Sequence, residues 1–275
     1  MKKALSLLLA VLLLNGGAYA LEVTAPSALL MAKDTGTVLF AKNEHERLEP
    51  ASVTKIMTLL LTMEAIDSGA LRYEDTVTAS PHACSMGGSQ IWLKEGEQLT
   101  VDEMLRAVCV VSANDCAVAL AEHIAGSEEA FVERMNEKAA ELGLSEGAHF
   151  TNCVGLYAPE HRGTARDMAL ILRAAMENEL CREILTAKRF HTAATDFHPE
   201  GQDLSNWFLR RIEDKDCGGV EVLAAKTGYV AESGSCAASF AQDAEGRGYL
   251  CVTGNAHSAW RAIYDHVEVY SHYVP

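Results

Sequence analysis

The chain has 275 residues, with Lys+Arg 23 against Asp+Glu 38 and a formal net charge of −15. That length suffices for one large domain or two interlocked lobes with a substantial core. The acidity argues against nucleic acid and against an anionic membrane surface as partners, and with no CxxC pair and no HExxH a zinc site has little support.

Lys2 and Lys3, the apolar run 4–14 and Ala18-Tyr19-Ala20 have the layout of a signal peptide over residues 1–20. The run is shorter than the roughly 20 residues that a spanning helix needs, and position 21 is Leu rather than a lipidated Cys. Cleavage removes lysines and no acids, so residues 21–275 are expected to be acidic, exported and outside the cytoplasm. The eight cysteines, Cys84, Cys109, Cys116, Cys153, Cys181, Cys217, Cys236 and Cys251, permit disulfides there. Their apolar surroundings favour buried free thiols.

Ser27–Ala32 and 37–42 flank Asp34-Thr35-Gly36, which reads as a β-hairpin. After Pro50, Ile56, Leu59, Leu60, Met63 and Ile66 recur at helical spacing, with Gly69 as a stop. Thr100 with Glu103 has capping-box spacing, and Thr164 with Asp167 has the same spacing with Asp in place of Glu. Ser127 can cap a helix carrying Phe131, Met135 and Leu142. Residues 192–202 read as an irregular surface loop. From Val220 the texture turns to strands, at 220–229, 235–241 and 249–253, with a polar turn at 243–248. A final amphipathic helix at about 257–272 carries Trp260, Ile263, Val267 and Tyr270 on one face. Its only Lys or Arg is Arg261, against Asp265 and Glu268, which favours packing on a sheet over lying on anionic lipid. The expected plan is an α+β fold. Strands from about 21–70 and 218–275 pair into one antiparallel sheet flanked by helices, and an all-helical lobe is inserted at about 71–217.

Three short motifs carry chemistry. Ser52-Val53-Thr54-Lys55 puts a hydroxyl and an amine on one helix face, and a neutral lysine can take the serine proton. Alone it is weak, since ordinary usage yields about one such spacing by chance in a chain this long. Ser112-Ala113-Asn114 is a polar triplet at a junction between helical segments, suited to a hydroxyl and an amide in a cleft. Lys226-Thr227-Gly228 lies in a strand, where Lys226 could reach that cleft and Gly228 would let a substrate backbone come close.

Together and in this order, the motifs resemble those of the SxxK acyl-transferases, the penicillin-binding proteins and serine β-lactamases. Residues 112–126, 152–157 and 164–170 further resemble the low-molecular-weight D-Ala-D-Ala carboxypeptidases. The resemblance implies that Ser52 is the acylated nucleophile, Lys55 its base and Ser112 the proton relay toward the leaving D-alanine. Asn114 would hold the peptide amide, Lys226 would keep Lys55 neutral, and Thr227 would hold the terminal carboxylate. The backbone N–H groups of Ser52 and Tyr229 would form the oxyanion hole. Arg261 would be a second carboxylate contact, or else a helix-start arginine facing solvent. No metal or cofactor is implied. The partners would be peptidoglycan stem peptides ending in D-Ala-D-Ala, with β-lactams as covalent inhibitors.

Some features depart from the pattern. Val230 stands where many relatives carry threonine, and the polar segment before the strand is only loosely recognisable at Leu204-Ser205-Asn206. Pro275 follows Gly228 too soon for a β-rich C-terminal domain or an amphipathic anchor, so a catalytic domain without a stable membrane anchor is expected. A class A β-lactamase would need an ExxLN loop. Glu177-Asn178-Glu179-Leu180-Cys181 lacks the Asn and lies far along the chain from Ser112. A non-catalytic penicillin-binding sensor is the alternative from another class.

Overall fold

The computed structural model describes residues 23–275, so the signal-peptide reading lies outside the described residues. The chain opens with β1 (Ser27–Ala32), β2 (Val38–Lys42), and a 3-10 turn at Ala51–Thr54 that runs into α1 (Lys55–Asp67). Then come β3 (Thr76–Thr78), α2 (Pro81–Cys84), β4 (Gln98–Thr100), α3 (Val101–Val110), α4 (Asn114–Ala125) and α5 (Glu128–Glu141). They are followed by α6 (Ala165–Glu177), α7 (Glu179–Leu185), β5 (Arg189–His191), β6 (Asp203–Ser205) and α8 (Leu209–Ile212). The end of the chain supplies β7 (Val220–Val230), β8 (Gly234–Asp243), β9 (Gly248–Ala256) and α9 (Ala259–Tyr273).

Strands from both ends of the chain form one antiparallel sheet, in the order β2-β1-β9-β8-β7. Successive side chains of a strand point to opposite faces. Leu29, Met31, Leu250 and Val252 accordingly enter the core shared with α1, α3, α4 and α6. Ala28, Leu30, Tyr249 and Cys251 enter a second core under α8 and α9. A sheet covered on both faces explains why its central strands are continuous apolar runs rather than alternating ones. The α1 helix is apolar nearly all round because α3, α4, α5, α6 and α7 all pack against it. The described cysteines are free thiols, all buried except the half-exposed Cys84. No helix among the described residues is long and apolar enough to cross a membrane.

The helix starts follow the sequence closely, with one exception in the use of a side chain. Both halves of the Thr100–Glu103 capping box form. Thr164 accepts the Asp167 N–H, but the Asp167 carboxylate turns outward to the N–H and hydroxyl of Ser145. It therefore ties α6 to the loop after α5 instead of closing a box. The inserted segment is helical in bulk and also carries two short ladders, β3–β4 and β5–β6. The surface loop expected at 192–202 is the tip of the β5–β6 hairpin, and it is anchored. Thr195 Oγ1 and His198 Nδ1 bond the buried Glu97 carboxylate at 2.6 and 2.9 Å, and Gln202 Nε2 donates to Ile91 O at 2.9 Å.

The α9 helix packs on β8 and β9 through a buried polar cluster. His266 Nδ1 meets Ser239 Oγ at 2.7 Å and its Nε2 meets Thr253 Oγ1 at 3.1 Å, while the Tyr270 hydroxyl meets Ser239 Oγ at 2.8 Å. Burial pushes the His266 imidazole down to about 3. Above the unfolded value of about 6.5 the ring is neutral in both states. Below it the unfolded chain takes up a proton that the folded chain refuses, so stability falls as pH drops from about 6.5 toward about 3. Urea unfolding across that window is expected to show this loss, with a shallower pH dependence in His266→Gln. Equal slopes in the two proteins would contradict the assignment.

Candidate active site

The site is assembled around one peptide group. Ala51 has a left-handed backbone, φ +48, and its peptide to Ser52 is clasped between two glycines. A Cβ on Gly155, itself at φ +82, would collide with Ala51 O, and one on Gly228 would come within 2.6 Å of Ser52 N. Only glycine permits both approaches. Ser52 lies in the 3-10 turn, and Lys55 opens α1 behind it. The α-helix therefore begins at Lys55 rather than at Ser52, but in a 3-10 turn residues i and i+3 eclipse, which keeps the pair together.

Lys55 Nζ donates to Ser52 Oγ at 2.8 Å and to Val154 O at 2.8 Å, from a wholly buried position. The acceptor loop is rigid, because Asn152 Oδ1 takes the N–H groups of Val154, Gly155 and Leu156. Burial first, and the nearby Lys226 charge second, hold Lys55 well below the usual lysine range. Lys226 Nζ donates to Ser112 Oγ at 2.7 Å and to Thr227 O at 2.9 Å, and burial lowers it to about 8.

Ser112 occupies the short bend between α3 and α4 with φ +64, a conformation that costs a residue with a Cβ on the order of 1–3 kcal/mol. Its neighbour Asn114 is buried. Asn114 Nδ2 donates to Gly87 O at 2.6 Å, while Oδ1 has no hydrogen-bond partner among the described residues. A buried acceptor without a donor is rare, and this one belongs to a residue that lines the cleft. The next residue, Asp115, is also buried, and its carboxylate accepts the N–H groups of Ile91 and Leu93.

Ser52, Ser112, Asn114, Thr227, Gly228 and Tyr229 line a common cavity of about 400 Å3, with Lys55 and Lys226 buried behind it. β7 is the last strand of the sheet, so an extended peptide could lie along it as a further strand. Val230 presents a methyl-lined surface to this cavity where a threonine would offer a hydroxyl. Arg261 is not brought to it. Its Nε donates to Thr24 Oγ1 at 3.0 Å and its Nη2 to Asp265 Oδ1 at 3.2 Å. The turn of α9 points Ala259 and Ala262 at the cavity, and the fully buried Asp265 carboxylate draws the guanidinium. Glu177-Asn178-Glu179-Leu180-Cys181 spans the α6–α7 junction and contributes nothing to the lining. Gly155 and Leu156, within the resembling stretch 152–157, also line the cleft, as do Gly88 and Ser89, which the sequence reading missed; the small polar run Gly87-Gly88-Ser89 was the available signal.

A hydroxyl held by a buried amine, with a second lysine–serine pair alongside, is an arrangement for acyl transfer through a serine ester. The profile of the D-alanyl-D-alanine carboxypeptidase family matches residues 16–257, and the chain belongs to that family. It is 43% identical over 231 residues to the D-alanyl-D-alanine carboxypeptidase DacF of Bacillus subtilis, covering 84% of this chain and 57% of that protein. The fold is similar to that of the D-alanyl-D-alanine carboxypeptidase DacD of Francisella tularensis (TM-score 0.80, 26% identity, 90% of this chain and 69% of that one). It is also similar to penicillin binding protein 6B of Escherichia coli (TM-score 0.78, 32% identity, 89% and 75%). The chain spans about half the length of the curated relatives that it matches.

Gly228→Ala drives a Cβ against the Ser52 amide. On the acyl-transfer reading proposed below, in which this N–H serves as an oxyanion donor, the displacement is expected to slow penicillin labelling by about 100-fold. Time-resolved labelling of parent and variant measures it. Parent-like labelling would show that Gly228 does not set the position of Ser52.

Proposed function

We propose that this protein is an exported serine-type D-Ala-D-Ala carboxypeptidase that removes the terminal D-alanine of peptidoglycan stem pentapeptides and is acylated by β-lactams. The observation that carries the reading is the pair of short contacts, Lys55 Nζ to Ser52 Oγ and Lys226 Nζ to Ser112 Oγ, on one cleft. In this reading the stem peptide lies along β7, with its amide N–H on Asn114 Oδ1 and its terminal carboxylate on Thr227. Its scissile carbonyl points at the N–H groups of Ser52 and Tyr229. Ser52 Oγ attacks that carbonyl and gives its proton to Lys55. The C–N bond then breaks, Ser112 passes a proton to the leaving amine, and water hydrolyses the Ser52 ester.

Both lysines set the pH limits. Lys55 acts as a base only when neutral, so acylation gains with pH through its lowered titration. Lys226 carries charge only below about 8, so the substrate carboxylate loses that cation above it. The signal-peptide reading of residues 1–20 fits action on stem peptides in the cell wall.

The test uses residues 21–275 and a diacyl-Lys-D-Ala-D-Ala peptide. D-alanine is expected to appear, with a maximum in rate on the acid side of about 8. Labelled penicillin is expected to map to the Ser52 peptide, and Ser52→Ala to lose both activities. Labelling that survives in Ser52→Ala, or labelling without any D-alanine release, would contradict the proposal.

A further inference from the structure

Among the exposed large hydrophobic side chains, Trp260 and Tyr264 are the two that stack on each other. They stand one turn apart on α9, with ring centroids 6.3 Å apart and an interplanar angle of 26°. Trp207, just ahead of α8, meets Trp260 edge-on at 5.4 Å. The fold presents this strip for a local reason. Ser258 caps α9, so Ala262, Asp265, His266, Val269 and Tyr270 turn inward, and Trp260 and Tyr264 take the outer face. The indoles are also held in place. The Arg211 guanidinium lies 4.4 Å from the Trp207 centroid and 5.6 Å from that of Trp260, and Arg211 Nη1 donates to Trp207 O at 3.3 Å. Large rings left about half exposed side by side, and fixed there, are what a binding surface needs.

The strip starts at the catalytic cleft. Ala259, beside Trp260, lines the cavity that holds Ser52, and Trp207 and Ala259 wall an adjoining space that shares Ser112 and Thr227 with it. A polymer whose side branch enters the cleft therefore passes over the rings. The charge around them is balanced. Segment 210–216 sets Arg210, Arg211 and Lys215 against Glu213, Asp214 and Asp216, and Glu268 follows Tyr264 by one turn of α9. Such a surface exerts little pull on an anionic bilayer or another polyanion. A pyranose ring suits it. The C–H bonds on one face of a sugar meet the negative face of an aromatic ring, and the flanking charged groups can hydrogen-bond to hydroxyls.

We infer that Trp207, Trp260 and Tyr264 form a platform for the glycan strand that carries the stem peptide, so that the enzyme favours assembled, polymeric peptidoglycan over free peptides. The inference rests on the carboxypeptidase reading and deepens it by naming the form of the substrate. Trp260 and Tyr264 are positioning residues. They hold the strand, which raises the local concentration of its stem peptides at the cleft, and they leave the chemistry at Ser52 untouched. No bond of the glycan is made or broken.

Binding and turnover are measured separately. Residues 21–275 carrying Ser52→Ala are sedimented with insoluble peptidoglycan, with and without glycan strands stripped of their stem peptides as competitor. The expected result is co-sedimentation that the stripped strands reverse. Adding Trp260→Ala and Tyr264→Ala is expected to weaken it about tenfold, the scale of losing an aromatic anchor. Tyr264→Ala alone leaves the Trp207–Trp260 contact in place and is expected to weaken it in the same direction, so the test does not depend on the folding of the double variant. With Ser52 intact, the alanine pair is expected to lower D-alanine release from pentapeptide-bearing peptidoglycan about tenfold, while release from diacyl-Lys-D-Ala-D-Ala and penicillin labelling stay unchanged. Undiminished co-sedimentation of both variants, or stripped strands that do not compete, overturns the inference. So does binding to phosphatidylglycerol vesicles, in place of glycan, that depends on the same two rings. Absence of D-alanine release from either substrate overturns the carboxypeptidase reading, and the sedimentation then still decides whether the platform holds glycan.

Discussion

The burial of two lysine side chains under two serine hydroxyls is the constraint on which the rest of this structure depends. Taking an ammonium group out of water costs several kcal/mol unless it is paired, and no carboxylate is hydrogen-bonded to either amine among the described residues. Burial accordingly holds Lys55 well below the usual lysine range, which favours its neutral form. A neutral amine in this position can donate to the Val154 carbonyl while its lone pair faces the Ser52 hydroxyl, the contact through which a proton would pass. Lys226, lowered to about 8, remains the cation that makes a second charge at Lys55 unfavourable. A surface Ser-x-x-Lys pair would have none of this chemistry, since the lysine would stay protonated.

Holding two amines in that position requires close approach of several segments, and the backbone bears the strain. Ala51 and Ser112 both adopt left-handed conformations, as does Trp92 in the loop pinned by Asp115. Strain of this kind persists where surrounding contacts over-determine it, as at functional sites. Here Gly155 and Gly228 clamp the Ala51–Ser52 peptide, while the junction of α3 and α4 is fixed by bonds from Ala113 N to Ala107 O and from Asn114 N to Ser89 O. The sheet does the long-range work. It pairs β1 with β9, which brings the two ends of the chain together and sets β7 opposite the helices that arise between them.

Much of this was legible in the chain because the signals are local. The β1–β2 hairpin, the three long C-terminal strands and the Thr100, Thr164 and Ser127 caps follow from period and side-chain chemistry within a few residues. The three motifs were legible as an ordered set, although no spacing could show that Lys55 and Lys226 share one buried site. Three-residue strands carry no period, so β5 and β6 were invisible, as was the docking of their connection on Glu97. Of the two readings left open for Arg261, the helix-start one fits its place in the first turn of α9, and neither named its partners. Its partners are Thr24, at the other end of the chain, and Asp265 one turn on, and the pull of a buried carboxylate outweighs the proximity of the cleft. Gly155 lay in the resembling stretch 152–157 with no role of its own to read, since that role is a contact with Ala51 more than a hundred residues earlier.

The central claim is that Lys55 is neutral because it is buried beside Lys226. Nuclear magnetic resonance of the protein carrying isotope-labelled lysines, with the Lys55 signal assigned by Lys55→Arg, titrates that amine directly. The account predicts a Lys55 titration well below the usual lysine value of about 10.4, moving upward when Lys226 is replaced by methionine. A Lys55 amine that titrates like an exposed lysine, or one indifferent to the loss of Lys226, would contradict it.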